Sequence, residues 1–282
     1  MTSIPRQIWF GARLQHDLDD LMNREFLSLL GKLSEQRTSY CLATVIEVMG
    51  SSSAPLGSRA VFDANGKLLL GWVGGGCAQS MVVHAAMESL AERRSRIIEV
   101  DLTDEVFGAG MPCGGHMRVF VEPCHPNPVV WILGSGALVE YLCHLASDLE
   151  FDVIVVDRNA HTTNYPRAAR IINDDDRYQQ LLPGPTDLVV IATHHKGDHL
   201  ALHQLMPSEV DYIGLVASRK RAGLILNRLR SEGITEEQLV RIRAPAGIMI
   251  ESQTPREIAV SVVAEMIKHI RRRTSHGHNP ES

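Results

Sequence analysis

Two cysteines sit in stretches of bare, bendable backbone. Cys77 closes the run Gly74-Gly75-Gly76-Cys77, and Cys113 opens Cys113-Gly114-Gly115. Glycine lacks a Cβ, so such runs expose backbone N–H groups that can cradle an anion. The first run ends an apolar, strand-like stretch (residues 68–73) and begins a helical pattern, which puts its thiol at a helix start. Partial positive charge there favours the thiolate, both a nucleophile and a soft metal ligand. The same residues also have a plainer reading, as small apolar cysteines beside tight turns.

A second kind of chemistry lies in residues 129–157, VVWILGSGALVEYLCHLASDLEFDVIVVD. An apolar run enters the turn Gly134-Ser135-Gly136. A helical pattern follows, with Leu138, Tyr141, Leu142 and Leu145 sharing a face. A second apolar run stops at Asp157. Strand, glycine turn, helix and strand make the first half of a dinucleotide-binding unit. A phosphate would sit on the helix N-terminus, and Asp157, about 20 residues on, would accept ribose hydroxyls. The third glycine of the fingerprint is replaced by Val139. A doubly wound domain whose turn needs glycine and holds no ligand remains open as an alternative.

Other candidates are weaker. Ser51, Ser52, Ser53 and Arg59 could hold phosphate, or form a solvated turn. His194, His195 and Asp198 follow an apolar run, 187–192, where a parallel sheet places ligands. Adjacent histidines on extended chain point apart, so they do not readily chelate together. Ser218, Arg219 and Lys220 open a basic helix start. The remaining histidines, including His276 and His278, carry no clear signal. There is no G-x-S-x-G elbow, P-loop, HExxH or CxxC pair, and no catalytic residue is assigned.

The elements that must position these residues divide at a proline-rich stretch. Residues 1–16 read as a loose N-terminus, 17–122 as a first α+β domain and 123–128 as a stiff linker. Residues 129–273 read as a doubly wound, Rossmann-like domain, and 274–282 as a disordered tail. The first domain should hold a helix over 17–36 and strands at 41–48, 60–62, 68–73, 96–101 and 117–122. Asn65-Gly66 should close a hairpin. In the second domain, strands at 129–133, 153–156, 187–192 and 211–217 should alternate with helices, including a short one over 177–182. Alternation of this kind builds a parallel sheet. Thr254 should cap a last helix that starts at Pro255 and runs toward Arg273.

Composition narrows the class. At 44% apolar, 282 residues can build two cores. A net charge of −5 supplies no basic field for nucleic acid. No apolar run nears the roughly 20 residues that span a bilayer. Five scattered cysteines and the lack of a secretory leader point to a reduced, cytoplasmic setting.

Taken together, these blocks resemble the XdhC/CoxI family. The resemblance rests on ATVIEVMGSSSAPLGSRAVF, GWVGGGCAQ, MPCGGHMRVFVEP, VWILGSGALVEYL, DLVVIATHHKGDHLAL, DYIGLVASRKR and TPREIAVSVVAEMI, roughly residues 41–270. It implies an N-terminal XdhC/CoxI-type domain followed by a Rossmann-like domain. It further implies a chaperone that protects molybdenum cofactor, supports its sulfuration with a cysteine desulfurase and inserts it into a molybdenum hydroxylase apoenzyme of the xanthine dehydrogenase type. The resemblance places that cofactor at Gly74, Gly75, Gly76, Cys77, Cys113, Gly114 and Gly115, with Cys77 and Cys113 as the metal-facing thiols. A homodimer is compatible with it. Gly134, Ser135, Gly136 and Asp157 keep a nucleotide such as NAD(P) in view, so an NAD(P)-dependent oxidoreductase or a nucleotide-sensing module stays open. The chain departs from the family at Pro245-Ala-Gly-Ile-Met-Ile-Glu-Ser252, where members usually read Pro-x-Gly-Leu-Asp-Ile-Gly-Ala. Ala217 also replaces the usual glycine before Ser-Arg.

Overall fold

The computed structural model describes residues 23–50, 52, 54–101, 115–193 and 197–276. The chain divides into two compact units between Pro126 and Asn127. No helix among the described residues is long and apolar enough to cross a membrane.

The first unit is a five-stranded antiparallel sheet in the order β3-β2-β1-β5-β4. Its strands are β1 (Tyr40–Met49), β2 (Arg59–Asp63), β3 (Leu68–Gly71), β4 (Arg96–Asp101) and β5 (His116–Cys124). Side chains alternate across a strand, and β1 shows why the sheet needs cover on both faces. Cys41, Ala43 and Val45 point to one face, where they join Ala78, Val82, Ala85 and Ala86 of helix α2 (Gly76–Glu92). Tyr40 and Leu42 point to the other, against Phe26, Leu29 and Leu33 of helix α1 (residues 23–35). Asn65-Gly66 does close the β2–β3 hairpin: the Asp63 carboxylate accepts the amides of Asn65 (2.8 Å) and Lys67 (2.9 Å).

Strand β5 runs two residues past its expected end at Glu122. Pro123 lies within it, opposite Cys41. The register explains the tolerance: β4 pairs with β5 only as far as Val121, so beyond that point one side of β5 is an edge where no N–H is required. Helix α2 starts at Gly76, within the glycine run.

The second unit is a six-stranded sheet, all parallel, in the order β11-β10-β9-β6-β7-β8. Its strands are β6 (Val129–Gly134), β7 (Asp152–Val156), β8 (Arg170–Ile172), β9 (Leu188–Ala192), β10 (Ile213–Leu215) and β11 (Ile242–Arg243). Every residue of β6 and β9 is buried, as strands covered on both faces must be. Val130 and Ile132 face a core shared with α3 (Ala137–Asp148) and α7 (Pro255–His276). Trp131 and Leu133 face the opposite core, with α4 (Asp198–Leu205), α5 (Arg219–Ser231) and the short α6 (Glu236–Leu239). Each aliphatic side chain fully buried in these layers contributes about 1.5–3 kcal/mol.

Three expectations need correction here. β8 and β11 are additional strands, three and two residues long. Regular pairing of β10 covers only Ile213–Leu215, on the β9 side as well as toward β11. No helix forms over residues 177–182. The Asp175 carboxylate takes the amides of Gln179 (2.9 Å) and Gln180 (2.6 Å), and Tyr178 adopts a left-handed backbone (φ 56°), so the chain closes in turns. The last helix starts as expected, with Thr254 and Glu257 exchanging side chain–backbone bonds, and continues to His276.

Candidate functional site

The order of the parallel sheet places β6 between β7 and β9, so the crevice lies at their carboxyl ends. Gly134 ends β6 opposite Ala192, the last residue of β9. Its φ of 124° suits glycine alone, and a Cβ there would lie 2.3 Å from the Ala192 carbonyl oxygen. Gly136 caps α3 with φ 92° and no side-chain cap. Its N–H donates to the hydroxyl of Tyr165 at 3.1 Å. Val139, at the position of the third fingerprint glycine, is fully buried in the α3 core.

A cavity of about 500 Å³ opens beside this turn. Ser135, Asp157, Asp175, Asp176, Tyr178 and Thr193 line it, together with Arg158 and Gly197. The structure thus brings Ser135 and Asp157 to one cavity. The wall is acidic, and most of its carboxylates are already engaged. Asp157 accepts the Asn159 amide (2.8 Å), Asp175 holds its turn, and Asp176 pairs with Arg158. Burial and the surrounding carboxylates push the Tyr178 phenol up to about 12.

Asp198 is buried behind this wall. It accepts the Thr193 hydroxyl and pairs with Arg221. Burial raises its carboxyl above the usual range, and the Thr193 hydrogen bond pulls it back. Asp198 therefore ties β9, α4 and α5 together. His194 and His195 lie outside the described residues. Ser218 caps α5 by accepting the Arg221 amide (3.3 Å).

In the first unit, α2 begins on the glycine run. Gly74 and Gly76 have φ of 116° and 55°, Gly75 is extended, and no side chain caps the helix. The first turn carries no acidic residue, and a Cβ on Gly75 would meet open space. The helix start therefore offers amide donors and the positive end of a 17-residue dipole without a carboxylate to compete. Such a start fits an anionic group such as a phosphate. Cys77 occupies the second position of α2. Cys113 and Gly114 lie outside the described residues, whereas Gly115 is buried just before β5.

The other polar candidates of this unit have structural partners. Arg59 donates to Asn23 (2.5 Å) and stacks on the Phe26 ring. Ser52 exchanges hydrogen bonds with Ala54, while Ser51 and Ser53 lie outside the described residues. Cys41, Cys124 and Cys143 are free thiols, each made less acidic by burial, Cys41 up to about 12. None of them is a ready thiolate.

One cluster was missed in the sequence. His199 and His203 on α4 both meet the carboxylate of Glu232, which caps the end of α5. Hydrogen bonding, foremost from His203, holds that carboxyl down at about 2. The H-x-x-x-H spacing at the start of a helix was the available signal.

Comparison with known proteins agrees with this architecture. Residues 130–266 match the model of the XdhC Rossmann domain, and residues 33–101 match that of the XdhC and CoxI family. The uncharacterized protein YqeB of Escherichia coli is 30% identical over 244 residues, 84% of this chain and 44% of that protein. The molybdenum cofactor insertion chaperone PaoD of Escherichia coli is 32% identical over 74 residues, 26% of this chain and 23% of that protein. The chain thus spans less than half the length of these curated relatives. The crystal structure of a xanthine dehydrogenase from Bacillus halodurans superposes with a TM-score of 0.50 at 24% identity, covering 87% of this chain and 96% of that one, a likeness of fold. With both blocks matched in order over most of its length, the chain belongs to the XdhC and CoxI family.

Proposed function

We propose that the protein is a molybdenum-cofactor carrier, which binds the cofactor, supports its sulfuration with a cysteine desulfurase and hands it to a molybdenum hydroxylase apoenzyme of the xanthine dehydrogenase type. The observation that carries the reading is the start of α2: three glycines, no side-chain cap and no acid in the first turn, inside the stretch matched to the XdhC and CoxI family. In this reading the Gly74, Gly75 and Gly76 backbone holds the pterin phosphate. Cys77 and Cys113 supply soft sulfur ligands toward molybdenum, and Gly114 and Gly115 let the backbone approach the cofactor closely. Similarity to PaoD supports the same class of cargo.

The test is anaerobic purification after co-expression with cofactor biosynthesis, with bound cofactor measured as its fluorescent pterin oxidation product. Gly75→Asp is the informative variant. Gly75 has an extended backbone and free space, and Asp is a good N-cap, so the fold should persist. Its carboxylate would repel a phosphate at the same amides, lowering bound cofactor at least tenfold. Cys77→Ala and Cys113→Ala should also lose cofactor. Unchanged cofactor in all three variants would overturn the site assignment.

A second reading is favoured by the cavity beside Asp157: a nucleotide such as NAD(P), held through ribose hydroxyls in the second unit. The protein would then be an oxidoreductase or a nucleotide-sensing module. Titration followed by NADH fluorescence decides it, and no binding at high nucleotide concentration removes the reading.

A further inference from the structure

Two helices of the second unit, α4 and α5, bring a different ligand set together. His199 and His203 are four residues apart on α4, so their side chains leave one face a single turn apart. Their rings meet edge to face with centroids 4.5 Å apart. The Nε2 atom of each lies 2.6 Å from the same Oε2 of Glu232. Glu232 arrives from 29 residues beyond His203. The three potential ligand atoms all lie within 4.8 Å of one another. The side chains are 31%, 38% and 28% exposed, so an ion can reach them from solvent.

We propose that His199, His203 and Glu232 form a binding site for a divalent first-row transition ion of the zinc class, with three protein ligands and at least one position open to water or substrate.

The ligand chemistry selects the ion. Two imidazoles and one carboxylate suit Zn²⁺, Ni²⁺ or Cu²⁺; Mg²⁺ and Ca²⁺ prefer all-oxygen shells, and Cu⁺ prefers sulfur. Two histidines and a glutamate with an open position are also a set that zinc accepts in reactive sites.

The frame is held in advance. The first turn of α4 is fixed by Asp198, which is tied to Thr193 and Arg221. The Glu232 backbone N–H returns to the carbonyls of Arg228 and Leu229 at 3.1 Å. Arg228 Nε donates to the other carboxylate oxygen, Oε1, at 2.9 Å, leaving Oε2 toward the imidazoles. A ligating carboxylate is commonly oriented by such an outer partner. The Arg228 charge opposes a bound cation, but its side chain is well exposed and water screens it.

Binding needs only a modest adjustment. Zinc sits about 2.0–2.2 Å from nitrogen and oxygen ligands, so the contacts of 2.6 Å must open to a little over about 3 Å. Rotation of three partly exposed side chains supplies that.

The experiment uses the full chain, stripped with a chelator. Zn²⁺ is titrated against a fluorescent zinc indicator, and Co²⁺ is followed by its visible absorption. A single equivalent should bind at this site, and with Cys77 and Cys113 both replaced by alanine the Co²⁺ spectrum should lack the intense thiolate charge-transfer band. His199→Ala and His203→Ala should each weaken binding by at least about tenfold, since loss of even an outer partner costs roughly 10–100-fold. Glu232→Gln, which keeps the shape and removes the charge, should weaken it as well. Alanine is the strongest helix former, so α4 should survive, checked by circular dichroism. Unchanged affinity in the double histidine variant, a thiolate band that persists once Cys77 and Cys113 are both replaced by alanine, or no binding at all would each overturn the proposal. The Co²⁺ spectrum of the Cys77→Ala/Cys113→Ala protein, which keeps both histidines, tests it even if a histidine variant fails to fold.

Discussion

The hydroxyl of Tyr165 accepts the backbone N–H of Gly136 at 3.1 Å, at the point where a nucleotide phosphate would approach α3. Tyr165 is only 2% exposed, so this bond belongs to the core as much as to the turn. Tyr165→Phe should therefore have two effects of opposite sign. Stability should fall by about 1 kcal/mol, the usual net value of such a bond, read from urea denaturation. ADP-ribose affinity should rise, because the freed amide can donate to phosphate. If both quantities stay unchanged, the hydroxyl is not occupying the anion position.

The acidic wall should also choose between nucleotides. A 2′-phosphate beside Asp157, Asp175 and Asp176 meets like charge, and Arg158 is already paired with Asp176. One such repulsion at about 6 Å is worth roughly 1–3 kcal/mol, depending on exposure. Any nucleotide binding should favour NADH over NADPH by about tenfold or more. Asp176→Ala should narrow the preference, since it removes an acid and frees Arg158. Equal affinity for both nucleotides in the wild type would exclude Asp157 and its neighbours as the ribose site.

Physical reasons separate what could be read in the sequence from what could not. The β6–α3–β7 unit was legible because its period, glycine turn and terminal Asp157 are all local. The hairpin at Asn65-Gly66 was legible for the same reason. β8 and β11 span three and two residues, too few to show a period. The cavity wall at Asp175 and Tyr178 was hidden because helical propensity over 177–182 lost to a carboxylate that captures two amides. The Glu232 partner of His199 and His203 comes from the end of another helix, and only the packing of α4 and α5 brings it there. The helix start before Cys77 was visible from its glycines; its lack of a side-chain cap required coordinates.

Glu251 stands where members of the family usually carry the second glycine of Pro-x-Gly-Leu-Asp-Ile-Gly-Ala. Its backbone nevertheless keeps a left-handed conformation, φ 56°. A side chain there costs roughly 1–2 kcal/mol, and glycine would recover part of that after its greater freedom in the unfolded chain. Glu251→Gly should stabilise the protein by about 0.5–1 kcal/mol, read as a higher urea midpoint at unchanged slope. Equal or lower stability would mean that the glutamate makes a contact worth more than the strain.

His125 gives the first unit a definite pH response. Its Nδ1 lies 3.1 Å from the Ser39 hydroxyl, and its Nε2 is buried with no hydrogen-bonding partner among the described residues. Burial, reinforced by the neighbouring Arg93, lowers its pKa from the ordinary 6.5. As pH falls through about 6.5 the unfolded chain takes the proton first. The folded state then loses stability until its own, lower pKa is passed. The contribution is thus present at neutral pH and lost on acidification, the reverse of a histidine that gains a carboxylate partner. Urea midpoints of the wild type should therefore drop between about pH 7 and about pH 5.5 more steeply than those of His125→Gln, which cannot titrate. Parallel curves for the two proteins would show that the imidazolium is accommodated, with Ser39 or water turning to meet it.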